Sequence, residues 1–174
     1  MGAWTGLELA KLRRARSVVC LGPAGLWRKR GSLSARATLW MLHHGPTPPP
    51  AVLTSRLGRK VLLSRIYGRP ERIPVEEVLE ATATMRSTQG FDEHLRATSH
   101  NRFTAGQGID VPVTIAYGER DRIVPKRARR GEELPANAGW ITLPACGHVP
   151  TWDDPELIAK TILEGTRQTR SPGP

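Results

Sequence analysis

Two side chains, His148 and Asp121, stand where acid–base chemistry could be done. His148 lies in Pro144-Ala145-Cys146-Gly147-His148-Val149-Pro150, between a short apolar run, Trp140 to Leu143, and a helix start at Asp154-Pro155. Asp121 lies in Tyr117-Gly118-Glu119-Arg120-Asp121-Arg122-Ile123-Val124-Pro125, straight after another apolar run that begins at Val111. If the two runs are adjacent parallel strands, their carboxyl ends lie side by side. The two side chains can then meet across 27 positions of sequence. A carboxylate bonded to an imidazole fixes its tautomer and stabilises the imidazolium formed when the ring takes a proton. That is the apparatus for activating a nucleophile.

Other reactive side chains are less well placed. Cys146 and Ser17 do not sit at a strand-to-helix turn, and Cys146 reads as a small buried filler. His43, His44, His94 and His100 lack the ligand spacing of a metal site, so they read as surface or packing residues. Neither a metal nor a cofactor is expected. With two dissimilar cysteines, Cys20 and Cys146, no disulfide framework is expected either.

The elements that must position His148 and Asp121 alternate between strand and helix. Gly2 to Leu12 reads as a helix with Ala3, Leu7 and Ala10 on one face, Trp4 beside them, and Gly2 and Gly6 where a backbone could pack closely. Ser17-Val18-Val19-Cys20-Leu21, closed by Gly22-Pro23, suits a strand buried on both faces. Val111 to Tyr117 and Trp140 to Leu143 are further runs of that kind, the Pro of the former at its entry. Pro155 to about Arg167 closes the chain as a helix, with Asp154 as N-cap, Pro155 at N1, and Ile158, Ala159, Ile162 and Leu163 facing inward.

The stretch between the first two strands is too long for an ordinary crossover. It carries helical patterns of its own: Leu33 to His44, then Ala51 to Tyr67 after a Gly-Pro-rich break, then a segment with Val75, Val78, Leu79, Thr82 and Met85 at helical spacing, then Phe91 to Arg102. Such an insertion suits a lid over a site at the strand ends.

Composition bounds the remaining options. The length fits one ordinary domain, and 39% hydrophobic residues against 24% charged is a globular balance. No apolar run is long enough to span a membrane and no signal-peptide pattern opens the chain, so a cytoplasmic location without a membrane partner is expected. The net charge of +10 is concentrated: Leu9 to Pro70 holds 13 Lys or Arg and no Asp or Glu, and the remainder holds 13 basic and 16 acidic residues. Arg supplies 21 of the 26 basic residues in a chain also rich in Ala, Gly and Pro, as coding bias would give. With no interleaved aromatic pattern and no zinc-finger spacing, nucleic acid is not the expected partner.

These motifs resemble the C-terminal part of an α/β-hydrolase-fold protein. The residues that carry the likeness are Val111 to Pro125, the Cys146-Gly147-His148-Val149-Pro150 loop with its Asp-Asp-Pro-Glu helix start, and Leu21-Gly22-Pro23-Ala24-Gly25-Leu26-Trp27 leading into the insertion. The resemblance implies an α/β fold with about three parallel strands, flanking helices and a helical lid. The core would be residues 1–26 and 104–167, the lid 27–103, and 168–174 a disordered tail. It further implies ester or related carbonyl-bond hydrolysis by a Ser-Asp-His triad, with Asp121 as acid and His148 as base. A small-molecule substrate would contact Leu26 and Trp27.

The family's nucleophile sits in a G-x-S-x-G elbow, and Gly2 aligns with its last Gly. Met1 would then follow the nucleophile and supply one oxyanion-hole N–H in an intact form, the nucleophile falling just before it. An internal Met taken as the start, or a truncated gene, is the expectation. On that reading this exact polypeptide turns over little or no substrate, by on the order of a million-fold relative to an intact triad. The strand at Ser17 would form an exposed apolar edge prone to self-association. Two alternatives stand beside this one: a non-catalytic remnant whose basic lid binds a protein or nucleic acid, and a fragment complementing a separately encoded N-terminal half.

Overall fold

The computed structural model describes residues 2–27 and 33–167. Three strands, β1 (Val18–Leu21), β2 (Val113–Gly118) and β3 (Gly139–Leu143), form one parallel sheet in the order β1-β2-β3. Val18 pairs with Val113 and Thr114 with Gly139, so the carboxyl ends of all three strands point the same way. Among the described residues no helix is long and apolar enough to cross a membrane.

Helix α1 (Gly2–Lys11) covers one face of the sheet and α7 (Pro155–Arg167) the other. Leu7 and Ala10 of α1 join Val18, Cys20, Val113, Ile115 and Tyr117 in the main core. Gly6 packs where a Cβ would meet a methyl of Val18 at 3.3 Å, so the close approach foreseen for this glycine occurs. On the opposite face, Ile158 of α7 packs with Ala116, Leu143 and Cys146.

Two details of the sheet side differ from the sequence reading. Helix α7 turns Ile158, Thr161 and Gly165 inward, while Ala159, Ile162 and Leu163 are exposed. Gly165 sets that face, because it lies against Val19 and Thr114 with no room for a side chain, and the Thr161 hydroxyl is satisfied by donating to the Leu157 carbonyl at 2.7 Å. The third strand is not buried on both faces: Trp140 is 47% exposed and only Leu143 is buried. β2, with a neighbour on each side, is the fully buried strand, whereas β3 lies at an edge. The other edge is β1. Its Val18 and Cys20 side chains are buried, those of Val19 and Leu21 are partly buried, and its outer side has no partner strand among the described residues.

Between β1 and β2 lie α2 (Leu33–His44), α3 (Pro50–Thr54), α4 (Arg56–Leu63), α5 (Val75–Ser87) and α6 (Phe91–His100). The expected single helix from Ala51 to Tyr67 is two. Ser55 takes an extended conformation, ends α3 and N-caps α4 by accepting from the Gly58 N–H at 3.3 Å. Leu53, Leu63, Ile73 and Val78 form a small separate core there, bordered by Tyr67. Residues 28–32, where the insertion begins, lie outside the described residues, as do Met1 and the segment 168–174 expected to be disordered.

Candidate active site

The two sequence-flagged residues meet. β2 ends at Gly118, and a tight turn follows in which the Asp121 Oδ1 accepts the N–H groups of Ile123 at 2.9 Å and Val124 at 2.8 Å. These bonds aim the other oxygen outward, and His148 Nδ1 lies 3.1 Å from Oδ2. A carboxylate only accepts, so Nδ1 carries the proton and Nε2 is the ring's basic nitrogen. The Asp121 side chain is fully buried and that of His148 is 22% exposed. The carboxylate is thus held in a dry turn while the imidazole reaches open space.

The loop holding His148 is fixed by close backbone packing. Gly22, at the end of β1, has φ +55°, and a Cβ there would come within 2.7 Å of the His148 carbonyl and 3.2 Å of its Nδ1. A larger residue just after β1 would have to displace the His148 backbone and would crowd its ring, in a conformation that favours glycine. From the other side, the Ile66 carbonyl accepts from the N–H of His148 at 2.6 Å and of Val149 at 3.1 Å. Ile66 belongs to the insertion, so the insertion grips the histidine loop directly.

Three residues that the sequence reading left without a role hold this arrangement. Asp153, 2% exposed, accepts backbone N–H groups from Gly147 at 2.7 Å, Gly68 at 2.8 Å and Arg69 at 2.7 Å. One buried carboxylate therefore ties the histidine loop to the insertion. Its neighbour Asp154 performs the expected cap, accepting from the Leu157 N–H at 3.0 Å. Two consecutive Asp before a Pro were a usable signal, because a helix needs only one N-cap. Glu119 accepts from the N–H of Ala145, a residue with φ +57°, at 2.9 Å. Arg129 stacks over the Tyr117 ring at 4.0 Å and donates to the carbonyls of Val124 and Gly118, bracing the Asp121 turn from beneath. Burial draws its guanidinium below the usual range, with the Asp121 charge acting in the opposite sense.

The remaining flagged residues take other places. Met1 lies outside the described residues. Leu26 is fully buried in the main core and Trp27 pairs with Arg129 in an isolated bridge. Cys146 is buried, and burial pushes its thiol up to about 11, far from the reactive thiolate range. His43 stacks on Phe91 with centroids 4.1 Å apart, and His44 bonds Asp92 at 2.9 Å. These contacts knit α2 to α6.

A cavity of about 490 Å³ opens beside His148, between its loop and the insertion. Leu42, Leu63, Tyr67, Val78, Met85 and Trp152 supply much of its wall. Burial, with a smaller contribution from the Asp153 charge, raises the Tyr67 phenol above its ordinary range. The phenol therefore stays protonated. A base with one free nitrogen, oriented by a buried carboxylate, faces a mostly apolar chamber. Such an arrangement can deprotonate a nucleophile brought to Nε2.

Residues 1–161 match the alpha/beta hydrolase family, and the chain belongs to that family. It is 22% identical over 175 residues to the epoxide hydrolase EphH of Mycobacterium tuberculosis, covering 93% of this chain and 80% of that protein. Among solved structures it resembles the 2-hydroxy-6-oxo-6-phenylhexa-2,4-dienoate hydrolase of a Rhodococcus species, with TM-score 0.65, 17% identity, and 96% of this chain covered. The non-heme bromoperoxidase homologue BpoC of Mycobacterium tuberculosis is similar at TM-score 0.65 and 18% identity over 97% of this chain. The chain spans 61% of the length of the first of these structures and 65% of the second. At such identities the structural likeness establishes the α/β-hydrolase fold.

Proposed function

We propose that this chain is the C-terminal segment of a hydrolase that cleaves an ester or related carbonyl bond through a Ser-Asp-His triad. His148 is the general base, Asp121 its orienting acid, and the serine and oxyanion-hole donors come from a segment preceding Gly2. The insertion acts as the lid, and the cavity beneath it receives the acyl or leaving group. One observation supports this reading most strongly. The imidazole is bonded through Nδ1 to a fully buried carboxylate, and Nε2 has no hydrogen-bond partner among the described residues.

In the reaction, Nε2 would take the serine proton as Oγ attacks the carbonyl carbon, and Asp121 would stabilise the resulting imidazolium. The same nitrogen then returns the proton to the leaving alkoxide as the acyl-enzyme forms. Water, deprotonated by Nε2, attacks the acyl group, and the proton passes back to serine on release of the acid.

The test is to extend the chain upstream in frame and assay p-nitrophenyl ester turnover. Turnover that requires both the upstream serine and His148 supports the proposal. Turnover unaffected by His148→Ala, or His148-dependent turnover by the 174-residue chain alone, would overturn it.

A further inference from the structure

The wall of the cavity is charged in the sense opposite to the chain as a whole. The protein carries 26 basic and 16 acidic residues, yet the described residues lining the cavity include Glu77 and Glu80 and neither Lys nor Arg. Both glutamates lie on α5, one turn apart, and so on one face. Neither makes an ion pair or hydrogen bond among the described residues.

The other polar groups of this wall are largely committed. The Thr82 hydroxyl donates to the Val78 carbonyl at 2.7 Å and the Thr88 hydroxyl to the Thr84 carbonyl at 2.8 Å. The Glu77 and Glu80 carboxylates, the Tyr67 phenol, the Thr84 hydroxyl, the Trp152 indole N–H and His148 remain to meet a ligand. Glu77 falls in the first turn of α5, where the helix N-terminus itself favours a negative charge. Glu80 lies beyond that turn, so the helix dipole does not account for it.

On the reading that this cavity receives the substrate, we propose that it selects a molecule with an apolar body ending in a protonated amine. The amine pairs with Glu77 and Glu80, and a carboxylate of the same shape is disfavoured. The apolar wall holds the body, and the two glutamates supply complementary charge at one end. A carboxylate entering there would face like charge from Glu77, which is half-buried, and Glu80, which is exposed, with neither Lys nor Arg among the described lining residues to offset it.

The probes are 4-phenylbutylamine, 4-phenylbutan-1-ol and 4-phenylbutyrate, titrated calorimetrically into the 174-residue chain at neutral pH. The amine is expected to bind at least about tenfold more tightly than the carboxylate, with the alcohol between them. Glu77→Gln with Glu80→Gln should bring amine and carboxylate within about threefold of each other and leave the alcohol unchanged. Glu156→Gln with Glu164→Gln on α7 makes the same change in net charge and should preserve the preference. Circular dichroism checks that each variant is folded, and the single variants Glu77→Gln and Glu80→Gln serve if the pair is not. Equal or tighter binding of the carboxylate, binding of none of the three probes, or a preference that survives loss of both glutamates overturns the proposal. Because no turnover is measured, this result is separable from the hydrolase reading: failed hydrolysis by the extended protein with an intact amine preference sinks only that reading.

Discussion

The sheet side and the helical insertion are built to different standards. In the sheet side, β2 is buried along its whole length, and α1 and α7 cover opposite faces with Leu7, Ile115 and Leu143 fully enclosed. The insertion has a separate core of only four buried apolar side chains, although both sides leave large apolar side chains exposed, such as Leu33, Leu57 and Val61 in the insertion and Leu12, Trp140 and Leu163 on the sheet side. The candidate acid–base pair stands on the enclosed side, where strand ends and a buried turn hold the Asp121 carboxylate 3.1 Å from the His148 imidazole. The cavity wall is supplied largely by the looser side. The candidate acid–base pair and the wall of the cavity are thus separated in space, with Asp153 and the Ile66 carbonyl joining the two sides.

The sharpest way to test this division is to compare chemistry with packing. In the upstream-extended protein, Asp121→Asn should lower ester turnover by about 10⁴-fold, since an amide can hold the wrong imidazole tautomer. A loss below tenfold in steady-state kinetics would mean the pair is not the working one. Asp121→Asn also keeps an oxygen for the Ile123 and Val124 N–H groups, so thermal denaturation should separate its effect on turnover from its effect on folding.

Asp153→Ala should be among the most damaging changes to stability, at about 2–4 kcal/mol, because one buried and two partly buried N–H groups lose their acceptor together. Urea denaturation measures it, and a loss under about 1 kcal/mol would show that the junction is not held there. Ile115→Ala in the enclosed core should cost about 2–4 kcal/mol, whereas Leu57→Ala on the exposed face of α4 should stay within about 0.5 kcal/mol. Equal costs would erase the contrast between the two sides.

A smaller effect follows from the buried thiols. Burial pushes Cys20 up to about 12 and Cys146 up to about 11, from an ordinary 9.0. The unfolded chain ionises first, so the stability these protonated thiols contribute is full below about pH 9 and is lost as pH rises toward 11 to 12. The urea midpoint should therefore fall between pH 8 and pH 10.5. Cys20→Ala with Cys146→Ala should flatten that decline, and an unchanged slope would assign it to other groups such as Tyr117, whose phenol burial also raises.

Much of the sheet side was legible because its signals are local. Continuous apolar runs closed by Gly mark β1 and β2, and Asp154-Pro155 marks the start of α7. The inward face of α7 was not legible, since hydrophobicity nominated Ile162 and Leu163 while close contact chose Gly165. In the insertion, the break at Ser55 was missed because the flanking residues keep a helical pattern across it.

Residue identity and spacing alone determined the strand–helix alternation, the place of Asp121 and His148 after successive strands, and the family they resemble. Short-range periodicity and turn chemistry carry that information within a few residues. Tertiary structure alone decided that Asp153 joins Gly147 to Gly68 and Arg69, that Gly22 makes room for the imidazole, and that two glutamates of a basic chain line its cavity. Each depends on segments distant in sequence becoming neighbours, and no local pattern encodes which backbone group will lie across from a side chain.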